Sequence, residues 1–291
     1  MYIAIRDVTL FQAGFDDLCP GLTAVGLRCA EVALTRNLTL PAPLHSLRAG
    51  LPVGTPAEIA AAAATYAEAN CSLCALFVPT NFNAPRRAPE AEWTVAAFRA
   101  AAGLGVGVVR VDGAMSGLDD LSRRQRVALF AETVATVLAA TPGSPVRLAI
   151  ENHGRQGNDL LWLDELLAAT APARVGLTLD PANLYGAGLA LSGVYEAVER
   201  LAPRVFHVHV KNVTYPAELR ERPRPLGWEY GRLVAPIPQG DLDYGRLLGL
   251  LRAARYAGAL ALEDESLALA PPAERPELLR QAVGYLQRSM V

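Results

Sequence analysis

Val146-Arg-Leu-Ala-Ile-Glu151 is a short apolar run that ends in a carboxylate. Similar runs, each ending in a carboxylate or an imidazole, occur three times toward the carboxyl terminus, in Val175-Gly-Leu-Thr-Leu-Asp180, Val205-Phe-His-Val-His209 and Ala259-Leu-Ala-Leu-Glu263. Continuous apolar runs of this length are typical of strands that are buried on both faces of a parallel sheet. Segments with helical spacing of apolar residues separate the runs, which indicates βα units rather than hairpins.

The same alternation extends back to the amino terminus, so that eight strands are predicted in all. They cover Tyr2 to Leu10, Cys29 to Leu34, Leu73 to Pro79, Val106 to Val111, Val146 to Glu151, Val175 to Asp180, Val205 to Val210, and Ala259 to Glu263. The clearest helix start between them is Thr55-Pro-Ala-Glu58, which has the residues of a capping box with proline in the first turn.

Eight consecutive βα units predict an α/β fold of one kind, the single (β/α)₈ TIM barrel, because closure removes the exposed edges of an open sheet. We expect one domain over residues 1–291, a length that such barrels commonly reach. The longest irregular stretch lies at about 211–240, directly after strand seven, and holds five prolines. Barrel enzymes place substrate-covering loops there, so this segment is predicted to be a lid.

Composition limits the partners of the protein. Hydrophobic residues make up 52% of the chain, and 27 Lys and Arg nearly balance 29 Asp and Glu. No basic run of the kind that neutralises a phosphate backbone is present, which argues against nucleic acid as a partner. The amino terminus lacks the features of a signal peptide and no run of ~20 apolar residues follows, so we expect a cytoplasmic protein with no membrane partner.

Four cysteines occur, and only Cys71 and Cys74 have a spacing that could indicate zinc or redox chemistry. These two open an apolar run, and their side chains should face opposite sides of a strand. They are therefore predicted to be buried structural thiols.

The polar ends of the last four strands predict a metal site. A carboxylate or imidazole at the end of a buried strand is costly unless it has a partner there. Consecutive strands bring their carboxyl ends together at the mouth of a barrel, so Glu151, Asp180, His209 and Glu263 can converge on one divalent cation. Three carboxylates and one imidazole favour Mn²⁺ or Mg²⁺, with Zn²⁺ or Co²⁺ as alternatives.

These residues also carry a family resemblance. Ala149-Ile-Glu-Asn-His153, Leu179-Asp-Pro-Ala-Asn183, His207-Val-His-Val-Lys211 and Gly258-Ala-Leu-Ala-Leu-Glu263 resemble the sugar phosphate isomerase/epimerase superfamily of xylose-isomerase-like TIM barrels. Further matches are Ala24-Val-Gly-Leu with Ala30-Glu-Val-Ala-Leu34, and Gln239-Gly-Asp-Leu-Asp-Tyr244. The resemblance spans nearly the whole chain.

The resemblance implies a divalent-metal-dependent isomerase or epimerase of a sugar or related polyol ketone. It implies that Glu151, Asp180, His209 and Glu263 are the metal ligands. It also makes Glu151 and Glu263 the catalytic pair that moves a proton through a metal-stabilised enediolate. The small polyhydroxylated substrate is then the expected partner, and the chain could form a homodimer.

Seven further residues are predicted to contact substrate. His207 and Lys211 share the strand face of His209, and His153 and Asn183 follow the proposed ligands Glu151 and Asp180. A deeper His207 could instead satisfy the core, and Lys211 could be a solvated loop lysine.

The other three predicted contacts come from elsewhere in the chain. Arg110, near the end of strand four, should face either substrate or a structural carboxylate, because a buried guanidinium needs an anion. Glu31 ends the predicted second strand, and Trp228, with Tyr230, could cover a sugar ring or pack the long loop down.

Departures from the resemblance leave other activities open. The ketose 3-epimerase branch has a histidine, an arginine and a glutamate where this chain has Asn183, Tyr215 and Gly157. Glu151-Asn-His153 also resembles the E-x-H of dehydratases that act on inososes or dehydroshikimate, so a metal-dependent lyase is the alternative. An abasic-site endonuclease is disfavoured, because that branch builds a three-metal cluster from many histidines and this chain has only four. The chain also lacks a basic surface for DNA. A non-catalytic sugar-binding barrel would tolerate loss of Glu151 and Glu263.

Overall fold

A computed structural model describes residues 1–44, 50–84, 86–113 and 120–290. Eight parallel strands form a closed barrel in which each strand pairs with its neighbours in the chain and β8 pairs with β1. The barrel strands are β1 Tyr2–Arg6, β2 Cys29–Ala33, β3 Ser72–Val78, β4 Val108–Asp112, β5 Arg147–Glu151, β6 Val175–Leu179, β7 Val205–Val210 and β8 Ala259–Leu262. The predicted (β/α)₈ barrel is therefore confirmed.

Helices surround the barrel and return the chain to the amino end of the next strand. They are α1 Asp7–Gln12, α2 Leu18–Ala24, α3 Pro56–Glu68, α4 Ala88–Gly103, α5 Arg123–Ala140, α6 Gly154–Gly157, α7 Leu160–Ala168, α8 Pro181–Gly186, α9 Leu191–Leu201, α10 Tyr230–Leu233, α11 Tyr244–Ala253 and α12 Arg275–Ser289. The predicted capping box is present, since Thr55 accepts from the Glu58 amide and Glu58 accepts from the Thr55 amide. None of the described helices is both long and apolar enough to cross a bilayer.

The first strand is shorter than predicted. The prediction extended it to Leu10, but the strand ends at Arg6 and α1 begins at Asp7. The buried Asp7 carboxylate accepts from the amides of Val8 and Ala33, which ties the chain to β2 and starts a helix where the apolar pattern alone suggested continued strand. Glu31 was placed at the end of the second strand, yet it is the third of the five residues of β2.

The apolar core has two parts. The larger lies between the barrel and the helices and includes the ring contacts of Phe130 with Phe82 and Trp162. A smaller cluster is built mostly from small side chains, among them Ala4, Ala149 and Ala261. All four cysteines are buried free thiols, as predicted for Cys71 and Cys74, which belong to different clusters.

The segment after β7 is less irregular than predicted. It contains an antiparallel pair, Asn212–Val213 with Val234–Ala235, two short 3₁₀ turns at Ala217–Leu219 and Ile237–Gln239, and the single-turn helix α10. This pairing folds the segment back over the carboxyl end of the barrel, where the polar strand ends lie.

Candidate metal centre

Four side chains converge at the carboxyl end of the barrel. Glu151 ends β5, Asp180 directly follows β6, His209 lies in β7 and Glu263 directly follows β8. One ligand atom from each lies within 4.8 Å of all the others. The Nδ1 atom of His209 is 3.0 Å from Glu151 Oε1 and 3.1 Å from Glu263 Oε2. This spacing would allow the four groups to share a single cation.

Glu31 orients the imidazole of His209 from the other side. The Glu31 Oε2 atom lies 2.8 Å from His209 Nε2 and 2.6 Å from His207 Nε2, and all three side chains are buried. Metal-binding histidines usually hold their second ring nitrogen against a carboxylate in this way. Burial alone would raise the pKa of Glu31, but His209 and His207 hold it well below its usual value. Glu31 therefore stays ionised and presents His209 Nδ1 to the other three groups.

Arg110 contacts carboxylates of the protein itself. Its guanidinium forms ion pairs with Glu151, with Glu31 at 3.2 Å and with Asp112 at 2.8 Å, and it stacks 3.8 Å from the ring centroid of Phe77. Of the two alternatives weighed for Arg110, these contacts correspond to the structural carboxylate. Burial alone would raise the pKa of Glu151, but Arg110 and then His209 hold it well below its usual value.

Lys211 is a buried member of the same network, with 2% of its surface exposed. Its Nζ atom is 3.1 Å from Asp180 Oδ2, 3.1 Å from Glu263 Oε2 and 2.8 Å from Glu265 Oε1. The alternative of a solvated loop lysine is therefore wrong. Burial alone would lower the pKa of Lys211, but Asp180 and the other acidic neighbours hold it well above its usual value, so the side chain is a fixed cation.

Two observations show that this donor set suits a divalent cation. Asp180 Oδ2 is buried and accepts no hydrogen bond from the residues that the structure describes, although Lys211 Nζ lies close by. Burial raises the pKa of Asp180, as expected for an anion short of partners. Carboxylates also outnumber cationic side chains in this ion-pair network. The six carboxylates are those of Glu31, Asp112, Glu151, Asp180, Glu263 and Glu265, and the three cations are Arg6, Arg110 and Lys211. A divalent ion would reduce this imbalance and give Asp180 Oδ2 a partner.

A cavity of about 360 Å³ lies next to Glu151, although none of the four converging groups is among its lining residues. His153 and Asn183 line it, and both reach Glu151: Asn183 Nδ2 donates to Oε1 at 3.3 Å, and His153 Nδ1 is 4.0 Å from Oε2. The Asp112 carboxylate lies 3.5 Å from His153 Nδ1, and their interaction raises the pKa of His153. This volume is sufficient for a small polar ligand.

The long segment after β7 supplies the opposite wall of the cavity. Leu226, Gly227, Tyr230 and Gly231 line it, and that this segment acts as a lid stays a prediction. Trp228 is not among the lining residues. Its indole is stacked on Tyr215 with a centroid distance of 6.1 Å, so of the two aromatic residues considered, Tyr230 faces the cavity and Trp228 packs the segment down.

The remaining predicted contact, His207, lies beneath the site. It is buried, its ring is 5.5 Å from that of His209, and its hydrogen bond goes to Glu31. Burial lowers its pKa. The core-satisfying alternative therefore describes its contacts, and His207 is not among the residues that line the cavity.

Sequence analysis missed several members of the network. Arg6 ends β1 and pairs with Glu263 and with Glu31, at 3.6 Å from the latter. Asp112 ends β4 and is the registered partner of Glu151. Asp112 satisfies the criterion used for the last four strands, a polar residue at a carboxyl end, and would have been found by applying it to the first four. Arg6 would not, because the predicted first strand continued past it to Leu10. Glu265 follows β8 by three residues and had no signal in the strand pattern.

Comparison with known proteins agrees with this architecture. The sequence matches the model of the xylose isomerase-like TIM barrel family over residues 22–289, and the chain belongs to that family. None of the curated proteins searched matches it.

Several solved structures resemble it over nearly their whole length. A crystal structure of IOLI protein with a bound zinc atom superposes with a TM-score of 0.74 at 14% identity, covering 100% of this chain and 98% of the other. A D-psicose 3-epimerase in the presence of D-fructose superposes with a TM-score of 0.68 at 14% identity, covering 100% of this chain and 99% of the other. Mannonate dehydratase from Streptococcus suis serotype2 superposes with a TM-score of 0.68 at 13% identity, covering 100% of this chain and 94% of the other. At these identities the likeness shows the fold.

Proposed function

We propose that the protein is a divalent-metal-dependent isomerase or epimerase of a sugar or a related polyhydroxylated ketone. The observation that carries the proposal is the convergence of Glu151, Asp180, His209 and Glu263 within 4.8 Å, beside a cavity. Two glutamates in contact with one imidazole, next to space for a ligand, can transfer a proton at a substrate carbon. Structural neighbours that include an epimerase support this choice of reaction class.

Glu151, Asp180, His209 and Glu263 would hold one metal ion. When bound, the ion would supply a Lewis acid that polarises substrate oxygens. The oxygen-rich donor set favours Mn²⁺ or Mg²⁺, and the zinc atom of the IOLI neighbour keeps Zn²⁺ a candidate, with Co²⁺ as a further one.

The side chains at the site would have three further roles: proton transfer, orientation of the substrate and exclusion of water. Glu151, kept ionised by Arg110, accepts a proton at a carboxylate oxygen, and Glu263, which has 9% of its surface exposed, returns one from the side nearest Lys211. Asn183 and His153 line the cavity next to Glu151, where they can orient substrate hydroxyls. Tyr230 and Leu226 cover the cavity and limit the access of water to it.

A dehydratase is the second candidate, and the position of His153 favours it. Its imidazole lines the cavity near Glu151, and its Nδ1 atom lies 3.5 Å from the Asp112 carboxylate, so it could protonate a leaving hydroxyl while Glu151 removes a proton from the adjacent carbon. The substrate would then be an inosose or a dehydroshikimate-like ketone. The mannonate dehydratase neighbour supports this reaction class on the same fold.

The remaining expectations extend the proposal. A small sugar or polyol remains the proposed partner rather than nucleic acid, because the net charge is −2 and the mouth of the barrel is acidic. A cytoplasmic location and a homodimer stay predictions.

The metal is tested by binding rather than by activity. We expect purified protein to contain close to one divalent ion per chain by elemental analysis, and we expect chelation to lower its melting temperature. Restoring Mn²⁺ at about 100 times its Kd should stabilise the fold by about 2.7 kcal/mol. Asp180→Asn should abolish this gain, and Asp164→Asn, which removes an exposed carboxylate, should not. An unchanged metal response in Asp180→Asn would contradict the assigned ligands.

The reaction is tested by isotope exchange. Ketoses and keto-inositols are incubated with the metal-loaded protein in deuterium oxide. An isomerase or epimerase should place deuterium beside the carbonyl without change of formula, whereas a dehydratase should release water. If the metal-loaded protein neither incorporates deuterium nor releases water with any substrate of either set, the proposed chemistry is contradicted. The proposed metal site would be unaffected by that result.

A further inference from the structure

A second cavity of about 470 Å³ lies at the opposite end of the barrel, at the amino ends of β5, β7 and β8. Its large lining side chains are Arg147, Phe206, Arg255 and Tyr256, and none of the described residues that line it is acidic. The Arg147 guanidinium stacks 4.2 Å from the centroid of the Phe206 ring. The cavity is thus cationic, whereas the mouth of the barrel is acidic.

Other arginines at this end have partners within the protein. Arg174 donates to the Val146 and Thr141 carbonyls, Arg204 to the Leu167 and Val175 carbonyls, and Arg252 to the Met290 carbonyl. Helix carboxyl termini collect at this end of the barrel, and arginine donors commonly satisfy their free carbonyls. These three arginines are therefore explained by structure.

Arg147 and Arg255 are different. Over the described ranges, neither guanidinium donates a hydrogen bond to a protein group, and no carboxylate lies within 4 Å of either. Arg147 is half-buried and Arg255 is exposed, so the donors of both remain available to a ligand.

The backbone around Arg255 gives no reason for an arginine. The carbonyls of Leu250, Leu251 and Arg252 at the end of α11 already accept from the amides of Ala254, Tyr256 and Arg255, which closes the helix without any side chain. Arg255 itself has φ +62°, in the left-handed region where a helix end usually carries glycine. A residue that holds an unfavourable backbone conformation at the wall of a cavity is a candidate for a ligand-binding role.

We propose that this cavity binds a small phosphate-bearing anion, with Arg147 and Arg255 as its recognition residues. Guanidinium groups bind phosphate oxygens through paired N–H donors, and two of them that line one cavity can share a phosphate. The volume would also admit the organic part of a phosphate ester. This site lies away from the proposed metal centre and does not depend on the function proposed for it.

The test uses inorganic phosphate as the probe and the metal-loaded full-length protein, by calorimetric titration at constant low ionic strength. We expect one saturable site with a Kd of about 1 mM or tighter. Arg147→Gln and Arg255→Gly should each weaken binding by about tenfold or more. Arg99→Gln, which removes the same charge from an exposed position on α4, should bind like the wild type.

Stability separates recognition from a structural role. Arg255→Gly should melt at or above the wild-type temperature, because glycine suits the left-handed position. Reduced binding without reduced stability would support the proposal even if Arg147→Gln folds poorly. The proposal would be overturned if the wild type showed no saturable phosphate binding. It would also be overturned if both variants bound phosphate with unchanged affinity, because phosphate would then bind elsewhere, for instance at the metal.

Discussion

Arg110 and Arg204 are the same residue type at the two ends of the barrel, with different surroundings. Arg110, on the carboxyl side, is buried and pairs with three carboxylates. Arg204, on the amino side, is half-buried and donates to the main-chain carbonyls of Leu167 and Val175 at 3.1 and 2.9 Å. Burial lowers the pKa of Arg204, whereas the carboxylates around Arg110 overcome the effect of burial and raise its pKa.

The contrast shows how the fold separates stability from chemistry. At the amino end, arginines complete hydrogen bonds that the helices leave open. At the carboxyl end, acidic and basic side chains compensate one another, an arrangement that apolar residues could replace at no loss of stability. Retaining so many ionised groups there is explained by a reaction or a ligand that needs them.

The largest effect is expected at the proposed catalytic glutamates. Glu151→Gln and Glu263→Gln should each keep the fold and lower isotope exchange by at least about 100-fold, because general acid–base groups contribute at least that much. Exchange is measured by mass spectrometry and folding by circular dichroism. Glu165→Gln, at an exposed ion pair with Arg123, is the matched control. A fully active double variant would refute the roles assigned to the two glutamates.

Arg110→Met should cost about 3–5 kcal/mol in the free energy of unfolding, because Glu31, Asp112 and Glu151 lose their common counter-charge. The measurement is urea denaturation of the metal-loaded protein. Arg123→Met, which breaks an exposed pair, should cost less than about 1 kcal/mol. Equal losses for the two variants would show that the network is not energetically coupled.

Arg204→Met should have an intermediate effect. Two carbonyls lose their donors, and each unsatisfied buried acceptor costs about 1–3 kcal/mol, less where water can reach it. Because Arg204 is half-buried, we expect a total loss of about 1–3 kcal/mol in the same urea experiment. A loss as large as that of Arg110→Met would remove the distinction between the two ends of the barrel.

Sequence reasoning recovered the barrel because its strands are continuous apolar runs separated by helical periods. The four proposed ligands followed from the same pattern, since each lies where an apolar run meets a polar residue. Alternation placed His207, His209 and Lys211 on one strand face, and all three are buried.

The features that sequence reasoning did not predict depend on tertiary contacts. The role of Glu31 follows from its 2.6 and 2.8 Å contacts with His207 and His209, more than 170 residues away, which no local pattern records. The early end of β1 depends on a bond from the Ala33 amide to Asp7. Trp228 and Tyr230 looked equivalent in the sequence, and only the folding of the long segment decides which faces the cavity.

The smallest predicted effect concerns how helices begin at the carboxyl end of the barrel. At several of these helix starts a side chain accepts from a free amide, as Thr55 does from the Glu58 amide at 3.3 Å. Thr55→Ala should destabilise the protein by about 1 kcal/mol in urea denaturation, because the cap of α3 is lost. Thr65→Ala is the matched control: its hydroxyl only donates to the Ala61 carbonyl inside the same helix, so alanine there should be neutral or slightly stabilising. If both changes had the same effect, side-chain capping would not contribute at this end, and the contrast with the backbone-closed helix end at Arg255 would fail.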